Sequence, residues 1–355
     1  MIADVVVIGG GQAGLATAWH LTQQGLRPLV LDAGDRIGHS WRGRWESLRL
    51  FTPAEYDSLP GTPFPAPAGT YPGKDAVAEY LRDYAESNDL DVELGARVTR
   101  LGRHDGGFEI RTADRTLVAP QVVVATGPFQ VPAVPALASG LAGSVHQLHS
   151  AAYRNPASLP DGDVLVVGGG NSGFQIAAEL AASRQVDLAV GTELPLLPQR
   201  VLGRDLFWWL TRSRLMRVSA TSRLGRRLQA RDDVVIGTDR RRLEQAGVRM
   251  RPRVVSTAGR VVRFADDSRL AVDVVVWATG YRTDHSWIDV PGVVVGGRVV
   301  HRRGITDVPG LSFVGLPWQH TRGSALLGFV GDDAAYVAAV AGRHAASTPV
   351  PHPID

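Results

Sequence analysis

Two stretches of the chain share one pattern of apolar and small residues. In each, a valine-rich run leads into three consecutive glycines, and an apolar segment with helical spacing follows. The first stretch predicts a strand over 4–8, a helix over 12–24 and a strand over 28–31. The second predicts a strand over 163–167, a helix over 171–183 and a strand over 186–190. Each stretch is therefore expected to form one strand-helix-strand unit, and the architecture repeats itself along the chain.

The pattern changes between these two stretches. A segment rich in proline and glycine, 53–73, lacks helical or alternating spacing and predicts an ordered surface loop over a site. Residues 75–88 then place apolar and aromatic side chains on one helical stripe, which predicts a helix packed against a core. Short β-like runs over 98–101, 108–111 and 122–125 predict a small antiparallel insertion.

A second repeat suggests where the chain changes domain. The run 122–125 closes on Ala125-Thr126-Gly127, and the run 274–277 is followed by Ala278-Thr279-Gly280. The repeat predicts that the chain leaves a second domain there and returns to the first, which an Ala-rich helix over 332–345 would complete. We expect an α/β fold of two Rossmann-like dinucleotide-binding domains, with these bounds: a discontinuous first domain, 1–153 and 275–355, and a second, 154–274.

The glycines of both stretches are spaced for close approach to a pyrophosphate. They follow the form GxGxxG, at Gly9, Gly11 and Gly14 and again at Gly168, Gly170 and Gly173. In such a turn the glycines let the backbone approach the anion, and the helix N-terminus directs its unpaired N–H groups at it. Two bound dinucleotides imply electron transfer between them.

The two turns differ in the residue that ends the second strand. Asp32 stands eighteen positions after Gly14, where its carboxylate can accept hydrogen bonds from ribose hydroxyls. The equivalent position in the second stretch is Gly191, followed by Thr192, so no acid is present to repel a 2′-phosphate. We therefore assign FAD to the first site and NADPH to the second, with Arg200 or Arg204 near the phosphate; NADH is the alternative donor.

Composition narrows the chemistry. A chain of 355 residues with 44% hydrophobic content is long enough for two ordinary cores. It contains no cysteine, which excludes disulfides, Cys-ligated metals and electron relay through a Cys pair. The histidines show no metal-ligand spacing, so no metal site is expected. The N-terminal apolar stretch is interrupted at Gly9 and carries no basic region, which predicts a cytoplasmic protein without a membrane anchor.

Positive charge is concentrated in one part of the chain. Residues 200–253 contain 15 arginines against five acidic residues, whereas the whole chain carries a net charge of only +3. A nucleic-acid surface is one interpretation, but no recognition motif or aromatic interleaving supports it. We expect a solvated face, with some of the arginines serving an anionic cofactor, and no nucleic-acid or membrane partner.

With these motifs, the chain resembles the class B flavin-containing monooxygenases, close to their short bacterial branch. The resemblance rests on both glycine turns, on Ala278-Thr279-Gly280-Tyr281 and on the segment 143–153. The family motif FxGxxxHxxxY is matched at Leu141, Gly143, His149 and Tyr153, with two departures. Leu141 replaces the aromatic residue, and two extra residues lie before His149. His149 is either a determinant of the domain junction or a hydrogen-bonded loop histidine.

The resemblance implies the three-layer ββα domains of glutathione-reductase-like proteins, and it extends the candidate sites. For FAD the candidates are Gly9, Gly11, Gln12, Ala13, Gly14, Asp32, Ala33, Gly38, Trp41, Ala125, Thr126, Gly127, Gly280, Ser324 and Ala325. For NAD(P)H they are Gly168, Gly170, Asn171, Ser172, Gly173, Gly191, Thr192, Arg200, Ala278 and Thr279. The segment from Gly323 resembles a helix start beside the flavin.

One departure concerns the flavin site itself. Phe51 stands where many relatives carry an asparagine, and a phenyl ring can exclude water but cannot donate a hydrogen bond. Phe51 is thus either a wall of the flavin site or a core residue. Trp41 could flank the flavin in the same way, although packing is the better interpretation for Trp41 and for Trp45.

As the resemblance implies, NAD(P)H would reduce the flavin, and a C4a-(hydro)peroxyflavin formed with O2 would oxygenate a small sulfide, amine or ketone. Two other functions remain open: a reductase that passes electrons to an acceptor without inserting oxygen, and a non-catalytic flavoprotein acting as a redox sensor. The substrate is beyond the sequence because such pockets are assembled from loops. Oligomeric state is equally open, with a homodimer as one possibility.

Overall fold

The computed structural model describes residues 3–192, 194–230 and 234–347, so the predicted domain ends at residues 1–2 and 348–355 lie outside it. The described helices are α1 Gln12–Gln23, α2 His39–Arg42, α3 Lys74–Ser87, α4 Asn171–Ala181, α5 Leu206–Arg212, α6 Arg223–Ala230, α7 Arg240–Gln245 and α8 Gly331–Ser347. None of these helices has the length and apolar character needed to span a bilayer.

The first sheet has five parallel strands, and its central strand leads into the first glycine turn. Its strands, in spatial order, are Leu311–Phe313, Val122–Val124, Val5–Ile8, Pro28–Leu31 and Val92–Glu93. The central strands are almost wholly apolar and buried, as expected of a parallel sheet covered on both faces. Because one edge strand comes from near the C-terminus, this unit is discontinuous in sequence.

The second sheet repeats the first with the same parallel pattern. Its strands, in spatial order, are His146–His149, Val274–Trp277, Val164–Val167, Val186–Ala189 and Val248–Arg251. The predicted boundaries at 153/154 and 274/275 are therefore wrong. The first boundary leaves 146–149 outside the second domain, yet this strand pairs in parallel with 274–277. The second boundary cuts the strand 274–277, which also pairs with 164–167.

Each parallel sheet lies between helices and a smaller antiparallel sheet. The antiparallel strands of the first unit are Arg100–His104, Gly107–Arg111 and Thr116–Ala119, with Ile288–Asp289 added at one edge; those of the second are Val254–Ala258, Val261–Phe264 and Arg269–Ala271. Separate apolar cores fill the space on the two faces of each parallel sheet. The predicted α/β class with two three-layer units is confirmed, although the strand 116–119 and the second antiparallel sheet were not located in the sequence.

Short two-stranded pieces connect these layers. They are Leu196–Leu197 with Val235–Ile236, Arg200–Val201 with Arg204–Asp205, Tyr281–Arg282 with Val131–Pro132, and Val294–Val295 with Arg298–Val299. The loop 53–73 contains only a 3-10 turn, Ala54–Tyr56, and is held by helix α3. The Tyr80 hydroxyl accepts from Leu59 N and donates to Thr62 O, and Tyr84 donates to Pro60 O. These tyrosines pack in the core and also fix the loop.

Candidate dinucleotide-binding site

The first glycine turn is closed by backbone contacts that leave no room for side chains. Gly9 has φ +113°, and a Cβ atom there would lie 2.6 Å from Ala125 O. A Cβ at Gly14 would lie 1.8 Å from Gly9 O, which forces the first turn of α1 against the loop. Gly11 differs, because a Cβ there would meet no atom within 4 Å. The open space above Gly11 is where a pyrophosphate would approach the backbone.

The N-terminus of α1 is prepared for an anion. Gly11 caps the helix without a side-chain hydrogen bond, and the first turn contains no acidic residue. Its first N–H groups therefore lack intrahelical partners, and the positive end of the helix dipole is not neutralised. Gln12 and Ala13 lie in this turn, where the amide oxygen of Gln12 is 3.4 Å from the indole nitrogen of Trp41.

The predicted ribose-binding carboxylate organises the turn. Asp32 accepts from Gly10 N at 2.6 Å through one oxygen and from Gly34 N at 2.7 Å through the other. Each carboxylate oxygen has a further lone-pair direction, so ribose hydroxyls could still be bound. Asp32 is partly buried, while Ala33, the next predicted contact, is exposed. The residues near the first turn therefore fit a dinucleotide whose ribose lies beside Asp32.

The second glycine turn repeats this geometry closely. Gly168 has φ +138° and a Cβ there would lie 2.1 Å from Ala278 O, while a Cβ at Gly173 would lie 2.0 Å from Gly168 O. Gly170 again faces open space, and α4 begins without a side-chain cap or an acid in its first turn. A second pyrophosphate fits here for the same physical reasons.

Asn171 and Ser172 lie in the first turn of α4. The Asn171 side chain accepts from Ile236 N at 3.1 Å and donates to Val234 O at 3.4 Å. Asn171 therefore fixes the short strand Val235–Ile236 beside the glycine turn. This role was not foreseen from the sequence, because the strand lies more than sixty residues away.

An arginine lies at the end of the second strand of this unit, but it is not the one predicted. Arg253 donates to Gly191 O through Nε at 3.2 Å and through Nη2 at 3.0 Å, and Nη2 is 3.3 Å from the Thr192 hydroxyl. The predicted Arg200 instead bonds Gly203 O within its own hairpin. The guanidinium of Arg204 lies over the Trp208 ring, at 5.4 Å.

The pairing of the strands explains the position of Arg253. The strand Val248–Arg251 pairs in parallel with Val186–Ala189, with Arg251 opposite Ala189. Two residues further on, Arg253 therefore comes next to Gly191. The prediction from sequence considered only arginines that follow Thr192 in the chain. The sequence does not show which strand pairs with Val186–Ala189.

The two Ala-Thr-Gly turns meet at the junction between the units. The turn at 125–127 packs on the first glycine turn and the turn at 278–280 packs on the second, through the carbonyl contacts described above. Gly127 and Gly280 have φ +67° and +80°. Thr126 accepts from the Gln130 amide, and the hydroxyl of Thr279 donates to Ala133 O. These turns thus fix the linker between the units to the glycine turns.

His149 lies at this junction and is neutral. Its Nδ1 accepts from Ala151 N at 3.1 Å, so the proton resides on Nε2, which donates to Gly280 O at 2.9 Å. Burial lowers the pKa of His149, and the charge of Arg44 lowers it further. The ring also stands edge-on to Tyr281, whose hydroxyl accepts from Arg44. His149 is therefore a hydrogen-bonded histidine that also lies at the domain junction. Features of both predicted interpretations, the junction residue and the hydrogen-bonded histidine, are present.

Two of the neighbouring motif residues, Tyr153 and Leu141, are buried. Tyr153 is fully buried and donates to Glu179 at 2.8 Å, and burial strongly raises its pKa. Leu141 packs in the core beneath the second sheet. Gly143 faces open space.

Phe51 belongs to an aromatic cluster between the two units. Its ring is stacked on Phe207 of α5, with centroids 6.0 Å apart, and the cluster includes Tyr56 and Phe329. Phe51 also lines a cavity of about 760 Å³, together with Tyr71, Phe174 and residues of 236–238. Phe51 is therefore both a packing residue and part of a cavity wall.

The aromatic residues after the first unit are packing residues. Trp41 is half-buried against the first core, and Trp45 is buried in the second core, so the segment 41–45 ties the units together. Gly38, with φ +77°, lies so close to α3 that a Cβ would be 2.7 Å from Ala78 Cα. This contact explains why a glycine stands at position 38.

The prediction of a helix beginning near Gly323 is wrong. Residues 321–330 form successive turns, and α8 begins only at Gly331. The buried Ser324 hydroxyl accepts from His320 N and Thr321 N, which stops the chain from entering a regular helix at that point. The tight packing of Gly328 on Tyr56 O, 2.0 Å from an added Cβ, keeps this segment against the loop 53–73.

Sequence reasoning missed a buried acid in that loop. The Asp57 side chain is wholly buried and accepts from the Thr52 hydroxyl, while its Oδ2 has no partner among the described residues. Burial raises the pKa of Asp57 to about 7. No motif marks this residue, because a single acid in a loop normally lies in solvent.

Comparisons with known proteins agree with the two-unit geometry. The family model for pyridine nucleotide-disulphide oxidoreductases matches residues 6–195. An uncharacterized oxidoreductase of Geobacillus kaustophilus, described as CzcO-like, is 44% identical over 338 residues, which cover 95% of this chain and 97% of that protein. Indole-3-pyruvate monooxygenase YUCCA1 of Oryza sativa is 27% identical over 342 residues, with 87% and 83% covered.

Among solved structures, the flavin-containing monooxygenase from Stenotrophomonas maltophilia superposes with a TM-score of 0.81 at 30% identity. The match covers 97% of this chain and 99% of that one. The resemblance to flavin-containing monooxygenases, predicted from the glycine turns and the Ala-Thr-Gly-Tyr motif, is confirmed.

Proposed function

Because this chain belongs to the pyridine nucleotide-disulphide oxidoreductase family and has a flavin-containing monooxygenase among its relatives, we propose that it is an NAD(P)H-dependent FAD monooxygenase. The observation that carries the proposal is the pair of uncapped helix N-termini, each facing open space above a glycine, in two units joined through Ala-Thr-Gly turns. When bound, FAD would supply the redox chemistry by taking a hydride from the nicotinamide and activating O2.

The first unit would hold FAD. The N–H groups at the start of α1 would bind the pyrophosphate, and Asp32 would orient the ribose through lone pairs not used by Gly10 and Gly34. Asp32 would thereby contact both the ribose and the backbone of the glycine turn. In this unit the protein would bind and orient FAD and exclude water from it. The glycine turn would need to supply no acid or base.

The second unit would hold NADPH. Gly191 and Thr192 supply no acid, and Arg253 presents its guanidinium beside them, so a 2′-phosphate would find a positive donor there. This arrangement supports NADPH as the preferred donor, with NADH as the alternative. His149 would act as a positioning residue, because it joins the edge strand of the second sheet to the turn at Gly280.

The chain's own composition favours oxygen insertion over one branch of the family. Without any cysteine, the protein cannot relay electrons through a dithiol to a disulfide substrate. In the proposed reaction, NADPH supplies two electrons, one atom of O2 enters the substrate and the other leaves as water. The substrate would be a small sulfide, amine or ketone. The cavity of about 760 Å³ beside Phe51 is large enough for a small molecule.

The test is to purify the protein, record flavin absorbance and follow O2-dependent oxidation of NADPH and NADH. A thioether, a tertiary amine and a cyclic ketone are then offered under isotopically labelled O2. We expect bound FAD, faster turnover with NADPH and one labelled oxygen in a product. A protein that binds FAD and oxidises NADPH, yet passes electrons only to a quinone-type acceptor, would be a reductase instead. A protein that binds neither cofactor contradicts the proposal altogether.

A further inference from the structure

The segment 200–230 has an unusual charge distribution. Between residues 206 and 230 there are six arginines and no acidic residue: Arg212, Arg214, Arg217, Arg223, Arg226 and Arg227. All six are exposed, and none forms an ion pair with a residue that the structure describes. Several exposed arginines elsewhere are paired, for example Arg27 with Asp4 and Arg82 with Asp83. The positive charge of this segment is thus left for an external partner.

Large apolar side chains are exposed in the same segment. The exposed fractions are 87% for Leu202, 37% for Trp209, 37% for Leu215 and 47% for Leu224. Leu202 is at the tip of the hairpin 200–205, with φ +49°. The indole N–H of Trp209 donates to Val201 O at 2.9 Å, which holds the ring beside that tip. Exposed arginines and exposed apolar side chains therefore occur in the same segment of the chain.

The segment is held firmly against the rest of the protein. Phe207 and Met216 are buried in the cluster that contains Phe51. The hairpin is tied by a hydrogen bond from Tyr71 to Asp205 at 2.7 Å, and Ala220 N donates to His320 O at 2.7 Å. The exposed leucines and arginines are therefore carried on a fixed base, and their exposure is not the result of a loose end.

We propose that this segment, residues 200–230, docks the protein on the surface of an anionic lipid bilayer. Arginines near such a surface are attracted by its negative potential, and apolar side chains among them enter the headgroup region. Tryptophan is favoured at that depth because its ring is apolar and its N–H is polar. A nucleic acid would satisfy the arginines but would leave Leu202 and Leu224 in water, so a lipid surface fits both features better. This proposal differs from the solvated face that the sequence predicts.

The experiment is flotation of the whole protein with vesicles of phosphatidylcholine alone and of seven parts phosphatidylcholine to three parts phosphatidylglycerol. We expect binding to the anionic vesicles only, weakened by raising the salt from about 0.1 to about 0.5 M. The triple variant Arg223→Gln, Arg226→Gln, Arg227→Gln should bind at least about tenfold more weakly. The double variant Leu202→Ser, Leu224→Ser should bind more weakly and lose the binding that remains at high salt.

The matched control removes the same net charge from paired positions, as Arg27→Gln, Arg36→Gln and Arg82→Gln. It should bind the anionic vesicles like the wild type, and circular dichroism melts would establish that every variant is folded. Equal loss in the control would mean that only net charge matters and would overturn the proposal. So would binding to a duplex DNA or RNA oligomer with no binding to vesicles. The measurement involves no flavin chemistry and stands independently of the proposed enzymatic function.

Discussion

The two units share the same arrangement of their four other strands and the same glycine turn, although one edge strand comes last in the first unit and first in the second. Their second strands differ in charge. In the first, Leu29 is a buried apolar residue and Asp32 follows the strand. In the second, the position matching Leu29 is Asp187, which is also buried but bonds Arg249 at 2.7 Å and Arg251 at 2.6 Å. The position matching Asp32 is therefore Val190, and the predicted equivalence of Gly191 is wrong by one residue, because Leu31 and Ala189 receive the same hydrogen bond from the glycine turns. No acid stands there, and Arg253 bonds the next residue, Gly191.

The comparison separates what a dinucleotide turn requires from what selects its ligand. A Cβ at Gly9 or Gly168 would meet equivalent backbone oxygens, at 2.6 and 2.1 Å, and one at Gly14 or Gly173 would do so at 1.8 and 2.0 Å, so both turns exclude a side chain at these positions. The charge at the end of the second strand does vary, from a carboxylate to a guanidinium. Under the proposed function, specificity between the two ligands would therefore be set by side chains outside the glycine turn.

The largest effect should come from Gly14→Ala set against Gly11→Ala. The first places a Cβ 1.8 Å from Gly9 O, so it should cost roughly 3 kcal/mol or more of unfolding free energy and prevent FAD binding. The second meets no atom within 4 Å, so the fold should be unchanged within about 0.5 kcal/mol. Thermal melts and flavin absorbance measure both.

Gly11→Ala is also informative about the ligand, because its Cβ would fill the space reserved for the pyrophosphate. We expect weaker FAD binding, with an unchanged melting temperature for the FAD-free protein. The pair Gly173→Ala and Gly170→Ala repeats the experiment in the second unit, where NADPH binding should be lost and weakened respectively while FAD is retained. Full FAD affinity in Gly11→Ala would mean that the pyrophosphate lies elsewhere.

One pH effect on stability should arise at Asp57 in the first unit. The pKa of Asp57 is raised from 3.8 to about 7 when the protein folds, so the folded state binds a proton that the unfolded state has released. The unfolding free energy contributed by this group therefore falls as the pH rises from about 4 to about 7, by roughly 3 kcal/mol. Urea unfolding of the wild type and of Asp57→Asn at pH 5 and pH 8 measures the difference.

Asp57→Asn should lose most of this dependence and gain stability relative to the wild type at pH 8. The exposed Asp83→Asn is the control and should leave the slope of stability against pH unchanged. If the wild type and Asp57→Asn vary with pH in parallel, the carboxyl of Asp57 is already ionised in the folded protein.

Arg253→Ala should change the ligand preference of the second unit alone. Loss of a charge-assisted hydrogen bond costs about 1.5–3 kcal/mol, so 2′,5′-ADP should bind about 10- to 100-fold more weakly while 5′-ADP is unaffected. Calorimetric titration measures both ligands. Arg263→Ala, which removes an exposed arginine bonded to Ser256 and Asp267, is the control. A similar loss for both ligands would show that Arg253 only supports the loop.

The smallest effect should come from Asp187→Leu, which gives the second unit the apolar residue that Leu29 provides in the first. The variant leaves Arg249 and Arg251 without their carboxylate, but both guanidiniums are partly exposed and can reach water. We expect a loss of about 1–2 kcal/mol, below the full cost of a buried unpaired charge. Urea unfolding measures it, with Asp83→Leu as the exposed control. An unchanged or higher stability would show that the buried carboxylate gives no net stabilisation.

The sequence was sufficient for features encoded by near neighbours. The helices α1, α3, α4 and α8 and the central strands lie within a few residues of their predicted bounds, because apolar spacing and glycine turns are local signals. Arg253 escaped prediction since its position depends on which strands are neighbours. Asp57 and the turn around Ser324 depend on tertiary burial and side-chain hydrogen bonds, which leave no periodic trace.

The discontinuity of the first sheet has a consequence for biosynthesis. By residue 277 the nascent chain contains every strand of the second sheet, so that sheet can assemble while translation continues. The first sheet lacks its edge strand until Phe313 has left the ribosome, and α8 follows later still. The half of the protein that is synthesised first is therefore the half that is completed last.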